Sequence, residues 1–314
     1  MTILLTGCGG QLGTALAAGL TRFGPVMATD VDQLDVGDCQ ALRLKLDRVR
    51  PRLIVNAAAY TDVEKAEGDE VAAHAVNAAA PAIMAEWAAL NDAALVHYST
   101  DYVYDGAGTA PRAEDSGLGP LNAYGKGKLA GDRAILESGA AALILRTSWL
   151  YAACGRNFLS TMLRHGAKRS VLQVVDNQVG APTSAPVLAD ITLAILAQAA
   201  GDPVALFRRH GGVVHAAASG ETSWHGFAET IFSGVRARGM ALAVARVEPI
   251  SSSDYPTRAM RPLNSRLSLD RLRQRFGVVP LDWRHALAAV LDVLVRGQVT
   301  TDPVGPPLLR ERAP

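Results

Sequence analysis

The run Thr6-Gly7-Cys8-Gly9-Gly10-Gln11-Leu12-Gly13 follows the apolar Ile3-Leu4-Leu5 and leads into an Ala/Leu-rich stretch that reaches Arg22. Glycines at G-x-x-G-x-x-G spacing between a strand and a helix allow a tight turn, close approach of backbone to a pyrophosphate, and close helix–strand packing. A tight turn alone would use the same glycines. The two readings diverge at Asp30, about twenty residues on at the end of a second apolar run, where a carboxylate accepts hydrogen bonds from an adenosine ribose. As a structural residue, Asp30 would only start a turn toward Asp32. Asp35-Val36 then falls where chain would cover an adenine. Gly7, Gly10, Gln11, Leu12, Gly13, Asp30, Asp35 and Val36 are therefore the candidate cofactor-binding residues of this part. A carboxylate at Asp30 repels the extra phosphate of NADP, and no arginine directly follows it, so NADH is favoured over NADPH.

The same rhythm continues. Val26–Thr29, Leu53–Asn56, Ala94–Tyr98 and Leu143–Arg146 are short, nearly unbroken apolar runs, with helices expected over about 38–49, 69–90 and 122–138. Strands apolar on both faces alternating with helices predict a doubly wound parallel sheet, an α/β fold of the Rossmann type. Beyond Trp149 the pattern becomes irregular and Pro-punctuated. Helices are expected near 186–200, 222–238, 268–276 (opened by Ser268 as N-cap) and 282–296, with short strands at Val213–His215 and Val244–Val247. The expected organisation is a dinucleotide-binding domain over 1–150 and a smaller, loop-rich substrate lobe over 151–314. Segments between about 170 and 235 are expected to return to the first domain. The Pro- and Arg-rich tail from Thr300 is expected to fray.

Composition narrows the partners. Lys and Arg number 31 against 30 Asp and Glu, and no long basic run occurs, which argues against nucleic acid and anionic membranes. Met1 to Leu5 runs straight into a strand without a signal-peptide pattern, and no apolar run is long enough to span a bilayer, so a cytoplasmic protein is expected. Cys8, Cys39 and Cys154 are far apart, and the seven histidines lack metal-ligand spacing. Neither a disulfide framework, a zinc site nor a histidine base is expected.

Chemistry enters with Ser99-Thr100-Asp101-Tyr102 and Asn122-Ala123-Tyr124-Gly125-Lys126-Gly127-Lys128. Tyr124 and Lys128 are four residues apart and share a helix face, where an ammonium lowers the pKa of a phenol. Thr100 supplies a second hydrogen bond to a reacting oxygen. A surface helix carrying an aromatic ring beside an aliphatic stem gives the same spacing. Ala57-Ala58-Ala59-Tyr60, after the third strand, lets a flat ligand approach the backbone, or simply packs beneath a helix. Asn77 either binds backbone near the site or is a satisfied core amide.

Taken together, the glycine loop, Asn56-Ala-Ala-Ala-Tyr60-Thr-Asp-Val-Glu-Lys-Ala-Glu67, Ser99-Thr-Asp-Tyr102 and Tyr124-x-x-x-Lys128 resemble the extended short-chain dehydrogenases/reductases. With Arg146-Thr-Ser-Trp149, Gly180-Ala-Pro-Thr183, Thr222-Ser-Trp224 and Arg261-Pro-Leu-Asn264-Ser265, the chain is similar to their dTDP-4-dehydrorhamnose reductase family over nearly its whole length. The resemblance implies NAD(P)H-dependent reduction of the C4 ketone of dTDP-4-dehydro-β-L-rhamnose to dTDP-L-rhamnose. It further implies a catalytic set of Thr100, Tyr124 and Lys128, with Tyr124 as proton donor. Thr100, Asp101, Tyr102, Trp149, Arg261 and Asn264 are expected at the substrate, the last two at its diphosphate. Tyr60, Tyr124 and Lys128 are expected at the cofactor with Ala57, Ala58 and Ala59.

Two alternatives remain at this stage: a non-catalytic dinucleotide-binding regulatory subunit, and a reductase or epimerase of another nucleotide-sugar. Self-association as a homodimer is left open. Some family members hold magnesium between subunits through two glutamates, but Ala15 and Pro186 stand in those places. Neither side chain ligates a hard cation, so no metal is expected there.

Overall fold

The computed structural model describes residues 1–299. Five apolar runs of the first half form β1 (Ile3–Thr6), β2 (Val26–Thr29), β3 (Leu53–Asn56), β4 (Ala94–Thr100) and β5 (Ala141–Thr147). Between them come α1 (Gln11–Leu20), α2 (Cys39–Val49), α3 (Ala80–Leu90) and α4 (Ala123–Glu137). Local chemistry fixes the starts of two of them: Asp38 accepts the Gln40 and Ala41 amides at the head of α2, and Asn122 accepts the Gly125 amide at 2.8 Å at the head of α4. The expected helix over 69–90 is broken in register. Glu70–His74 passes through a π-helical turn, Ala75–Ala79, before α3.

In the second half, α5 (Phe158–Gly166), β6 (Val171–Val175), α6 (Ala185–Ala197), α7 (Pro203–His210), β7 (Gly212–His215), α8 (Trp224–Arg236), β8 (Arg246–Ile250), α9 (Asp270–Phe276) and α10 (Trp283–Val299) follow. Six strands form one parallel sheet in the order β7-β5-β4-β3-β1-β2. The order reverses direction between β1 and β3, the place where doubly wound sheets open a crevice at their carboxyl edge. β3, β4 and β5 are buried throughout, as strands covered on both faces require. One layer of the core joins α1, α6 and α7 to the sheet, and the other joins α2 and α3. A separate core around Tyr151, Leu159, Phe227, Phe232, Trp283 and Leu291 lies against the small sheet of β6 and β8.

Several boundaries differ from the sequence reading. The strand expected at Val244–Val247 is displaced to Arg246–Ile250, because its register is set by pairing with β6, a strand the sequence does not announce. Ser268 is not the N-cap of α9. That position belongs to Leu269, while the Ser268 hydroxyl donates to the Asp270 carboxylate at 2.9 Å. The helix α7 was not expected; Asp202 caps it by accepting the Ala205 amide at 3.1 Å. The tail from Thr300 lies outside the described residues. Among the described residues no helix is long and apolar enough to cross a membrane.

Candidate active site

A cleft of about 1710 Å³ opens at the carboxyl edge of the sheet and extends to the segment Ser252–Leu263. Its floor is the glycine loop. Gly7 has φ +68°, and a Cβ there would stand 2.7 Å from the Ala58 amide nitrogen, so the loop and the Ala57–Tyr60 segment approach as only glycine allows. Gly13 lies behind the loop, where a Cβ would overlap the Gly7 carbonyl; it serves packing and does not face the cleft. Gly7, Gly10, Gln11, Leu12, Asp30, Asp35, Val36 and Ala57–Tyr60 all line it. Asp30 does two things. Its carboxylate accepts the Gly9 amide at 2.9 Å, steadying the loop, and its carbonyl accepts the Gln33 and Leu34 amides of a turn. Asn77 clamps the backbone of Tyr60, accepting its N–H at 3.0 Å and donating to its carbonyl at 2.9 Å.

Above the floor stand Thr100, at the end of β4, and Tyr124 and Lys128, on one face of α4. The helix can come this close because Gly131 faces Asn77, where a Cβ would overlap the Asn77 carbonyl oxygen. The Thr100 hydroxyl donates to the Asp101 carboxylate at 3.1 Å and accepts the Tyr102 amide at 3.2 Å. The Tyr102 and Tyr124 rings meet edge to face with centroids 5.7 Å apart.

The electrostatics depart from the sequence reading. Burial and the Asp101 carboxylate push the Tyr124 phenol above its ordinary pKa, with Thr100 opposing them. The Lys128 ammonium does not hold it down as expected. Lys128 is itself buried, which lowers its pKa to about 8 against the pull of Asp132, and its Nζ sits 3.1 Å from His97 Nε2. The sequence reading set every histidine aside. The overlooked signal is a polar residue inside the otherwise apolar run Ala94–Tyr98, three residues before Thr100.

Asp101 is buried, and its pKa is raised by that burial to about 6. A carboxyl whose folded pKa lies above its unfolded value gives stability that is complete below about pH 3.8 and is lost as pH rises through about 6. Asp101→Asn should therefore gain on the order of 2 kcal/mol relative to the parent between pH 4 and pH 8. Denaturant titrations at the two pH values check this, and a difference that does not change with pH would refute it.

The expected substrate residues divide. Asp101, Tyr102, Trp149 and Arg261 line the cleft. Trp149, held at φ +49°, stacks on Trp224 with centroids 3.6 Å apart, making an aromatic wall whose second member was not anticipated. Arg261 is already committed to the Glu64 carboxylate at 2.8 Å, a bond that ties the late loop to the segment after β3. Asn264 is absent from the cleft lining. It is buried with its amide donating to the Ala110 carbonyl at 2.9 Å and its oxygen accepting from Arg266, so it holds loops together and does not line the cleft. Ala15 sits on α1 and Pro186 in the first turn of α6. Among the described residues no cluster of three or more His, Cys, Asp or Glu could hold a metal ion.

A glycine cradle at the switch point of a parallel sheet, facing a Tyr and a Lys one helical turn apart, defines the extended short-chain dehydrogenase/reductase class. Within it, the family described as the RmlD substrate binding domain matches residues 1–296, and the chain belongs to that family. It is 44% identical over 298 residues to dTDP-4-dehydrorhamnose reductase of Burkholderia thailandensis, covering 94% of this chain and 99% of that protein. Among solved structures, the dTDP-4-dehydrorhamnose reductase of Clostridium acetobutylicum superimposes with a TM-score of 0.85 at 33% identity, covering 94% and 99% of the two chains. The Bacillus anthracis enzyme of that name, a complex with NADP, gives a TM-score of 0.83 at 30% identity, covering 93% and 99%.

Proposed function

We propose that this protein reduces the C4 ketone of dTDP-4-dehydro-β-L-rhamnose to dTDP-L-rhamnose with NAD(P)H. The observation that carries the reading is the convergence of the glycine cradle with Thr100, Tyr124 and Lys128 in one cleft, in a chain that belongs to the family above. A silent regulatory subunit would have no need to keep those three side chains facing one opening.

The cradle fits a nicotinamide dinucleotide, because Gly7 lets the loop lie against the Ala57–Tyr60 segment without a Cβ between them, and the α1 N-terminus beyond it favours a diphosphate. Gly7, Gly10, Gln11 and Leu12 would face the pyrophosphate, Asp30 the adenosine ribose, Asp35 and Val36 the adenine, and Tyr124 and Lys128 the nicotinamide ribose. When bound, the dinucleotide supplies the hydride for C4. Tyr124 gives its phenolic proton to the alkoxide forming at the C4 oxygen. Thr100, turning its hydroxyl away from Asp101, orients that oxygen and donates to it as charge develops. Tyr102 and the wall of Trp149 and Trp224 exclude water and hold the sugar.

Incubation of the purified protein with NADH or NADPH and dTDP-4-dehydrorhamnose, with identification of the sugar product, tests the assignment. No cofactor oxidation, or a product other than dTDP-rhamnose, would overturn it. Cofactor choice rests on Asp30. The protein should show higher kcat/KM with NADH than with NADPH, and Asp30→Asn, which keeps an acceptor for the Gly9 amide, should raise the NADPH-to-NADH ratio by about tenfold by removing a like charge. A ratio unmoved by that change would remove Asp30 from the discrimination.

A further inference from the structure

The side chain that meets the active-site amine lies beneath the cleft. His97 is on β4, buried, with its Nε2 at 3.1 Å from Lys128 Nζ and its Nδ1 at 3.1 Å from the Asn56 amide nitrogen. Asn56 in turn accepts the Thr6 hydroxyl at 2.7 Å. A line of four buried polar groups thus runs across β1, β3 and β4 at one level of the sheet, with Asn56 paired in register both to Thr6 and to His97, and it ends on the lysine.

We propose that His97 is the positioning residue of Lys128: the ring, fixed from behind by Asn56, sets where the amine stands at the floor of the cleft and takes part in its protonation. The lysine stem alone has four rotatable bonds and would not define one position. The charges around it leave this part to His97. Asp132, on the same helix, is bound to Arg146 of β5 at 3.0 Å. Asp101 faces Tyr124, and the π-helical turn on the far side of α4 presents the neutral Asn77. Burial and the lysine charge together drive the His97 pKa far below its ordinary value, so the ring is neutral at physiological pH. A neutral imidazole has one N–H and one lone pair. With the Asn56 amide donating to Nδ1, the ring hydrogen is on Nε2 and faces a neutral Lys128; when Lys128 carries its proton the ring must accept at Nε2, its hydrogen moves to Nδ1 and the Asn56 amide must turn its oxygen toward it, so lysine charge and ring tautomer are coupled.

The functional weight of this proposal rests on the role given to Lys128 above; the contact itself does not, and the two are tested separately. Glutamine places its terminal amide where Nε2 of the ring stands, and asparagine where Nδ1 stands. His97→Gln should keep kcat and the dinucleotide KM within about threefold and leave the pH profile in place. His97→Asn should lower kcat/KM for the dinucleotide by about tenfold or more and displace the alkaline limb of kcat. The reverse order, with asparagine tolerated and glutamine not, would mean that the ring only supports Asn56, and equal behaviour of the two variants would also overturn the proposal.

If either variant fails to fold, or if no turnover is found, NMR of the unmodified protein decides. The Lys128 side-chain resonance, assigned by its loss in Lys128→Arg, should titrate near pH 8. The His97 ring nitrogens should shift at the same midpoint. Ring nitrogens indifferent to the lysine titration would refute the coupling without reference to activity.

Discussion

Tyr124→Phe will lower turnover of the ketone by about 10²- to 10⁴-fold while the dinucleotide still binds. The phenylalanine ring fills the same space against Tyr102 and loses one oxygen, so the change isolates the proton donor from the packing. The raised phenol pKa sharpens the expectation. Burial keeps Tyr124 protonated well into the alkaline range, which makes it a full reservoir of protons and an unwilling donor. The reaction then depends on the neighbour that opposes this rise and favours the phenolate, which is Thr100. Single-turnover oxidation of NADH compared between parent and variant measures the loss. A variant turning over at the parental rate would end the proposed role of Tyr124 and with it the mechanism.

Asp132→Asn will destabilise the fold by about 3 kcal/mol or more, because it leaves the buried Arg146 guanidinium without its counter-charge. The pair is closed at 3.0 Å with almost no exposure on either side, 0% for the Asp132 side chain and 3% for Arg146. Arg146 also donates to the Tyr104 hydroxyl at 2.9 Å, and Tyr104 donates onward to His215 Nε2 at 2.7 Å. Burial lowers the His215 pKa to about 3, so the ring stays neutral, and its remaining N–H reaches the Ser268 carbonyl at 3.0 Å. The double change Asp132→Leu with Arg146→Met removes both charges and should recover most of the loss. Denaturant midpoints of the parent and the two variants give the answer. A single variant as stable as the parent would show that Arg146 finds another partner.

The parts of this molecule that could be read in its sequence are those whose cause is local. Gly7 is needed by its own backbone, Asp38 and Asn122 cap the helices they precede, and Tyr124 with Lys128 share a face because a helix turns every 3.6 residues. The apolar runs of β1 to β5 announce a sheet covered on both sides. What could not be read depends on partners distant in the chain. Asn264 was expected at the diphosphate as an amide donor, yet its amide is satisfied by carbonyls more than 150 residues earlier. Lys128 was expected to act on the residue one turn before it, and it meets His97, 31 positions away on a neighbouring strand. The strand β6 has an edge that is legible only once β8 lies beside it. Spacing along a helix fixes which residues share a side, whereas tertiary packing decides which of them meet.

The sheet has a further consequence for how such a chain is put together. Its outermost strand beside β5 is β7, drawn from residues 212–215, and the helix that covers α1 is α6, drawn from residues 185–197. The first 150 residues therefore hold the glycine cradle with Thr100, Tyr124 and Lys128 but do not close their own core. Cut there, β5 would present a bare edge and one side of the apolar layer would be open to water. The two halves cannot be exchanged between relatives like separate cartridges. A new sugar specificity has to be acquired by altering loops in place, within a scaffold whose completion waits for most of the chain to be synthesised.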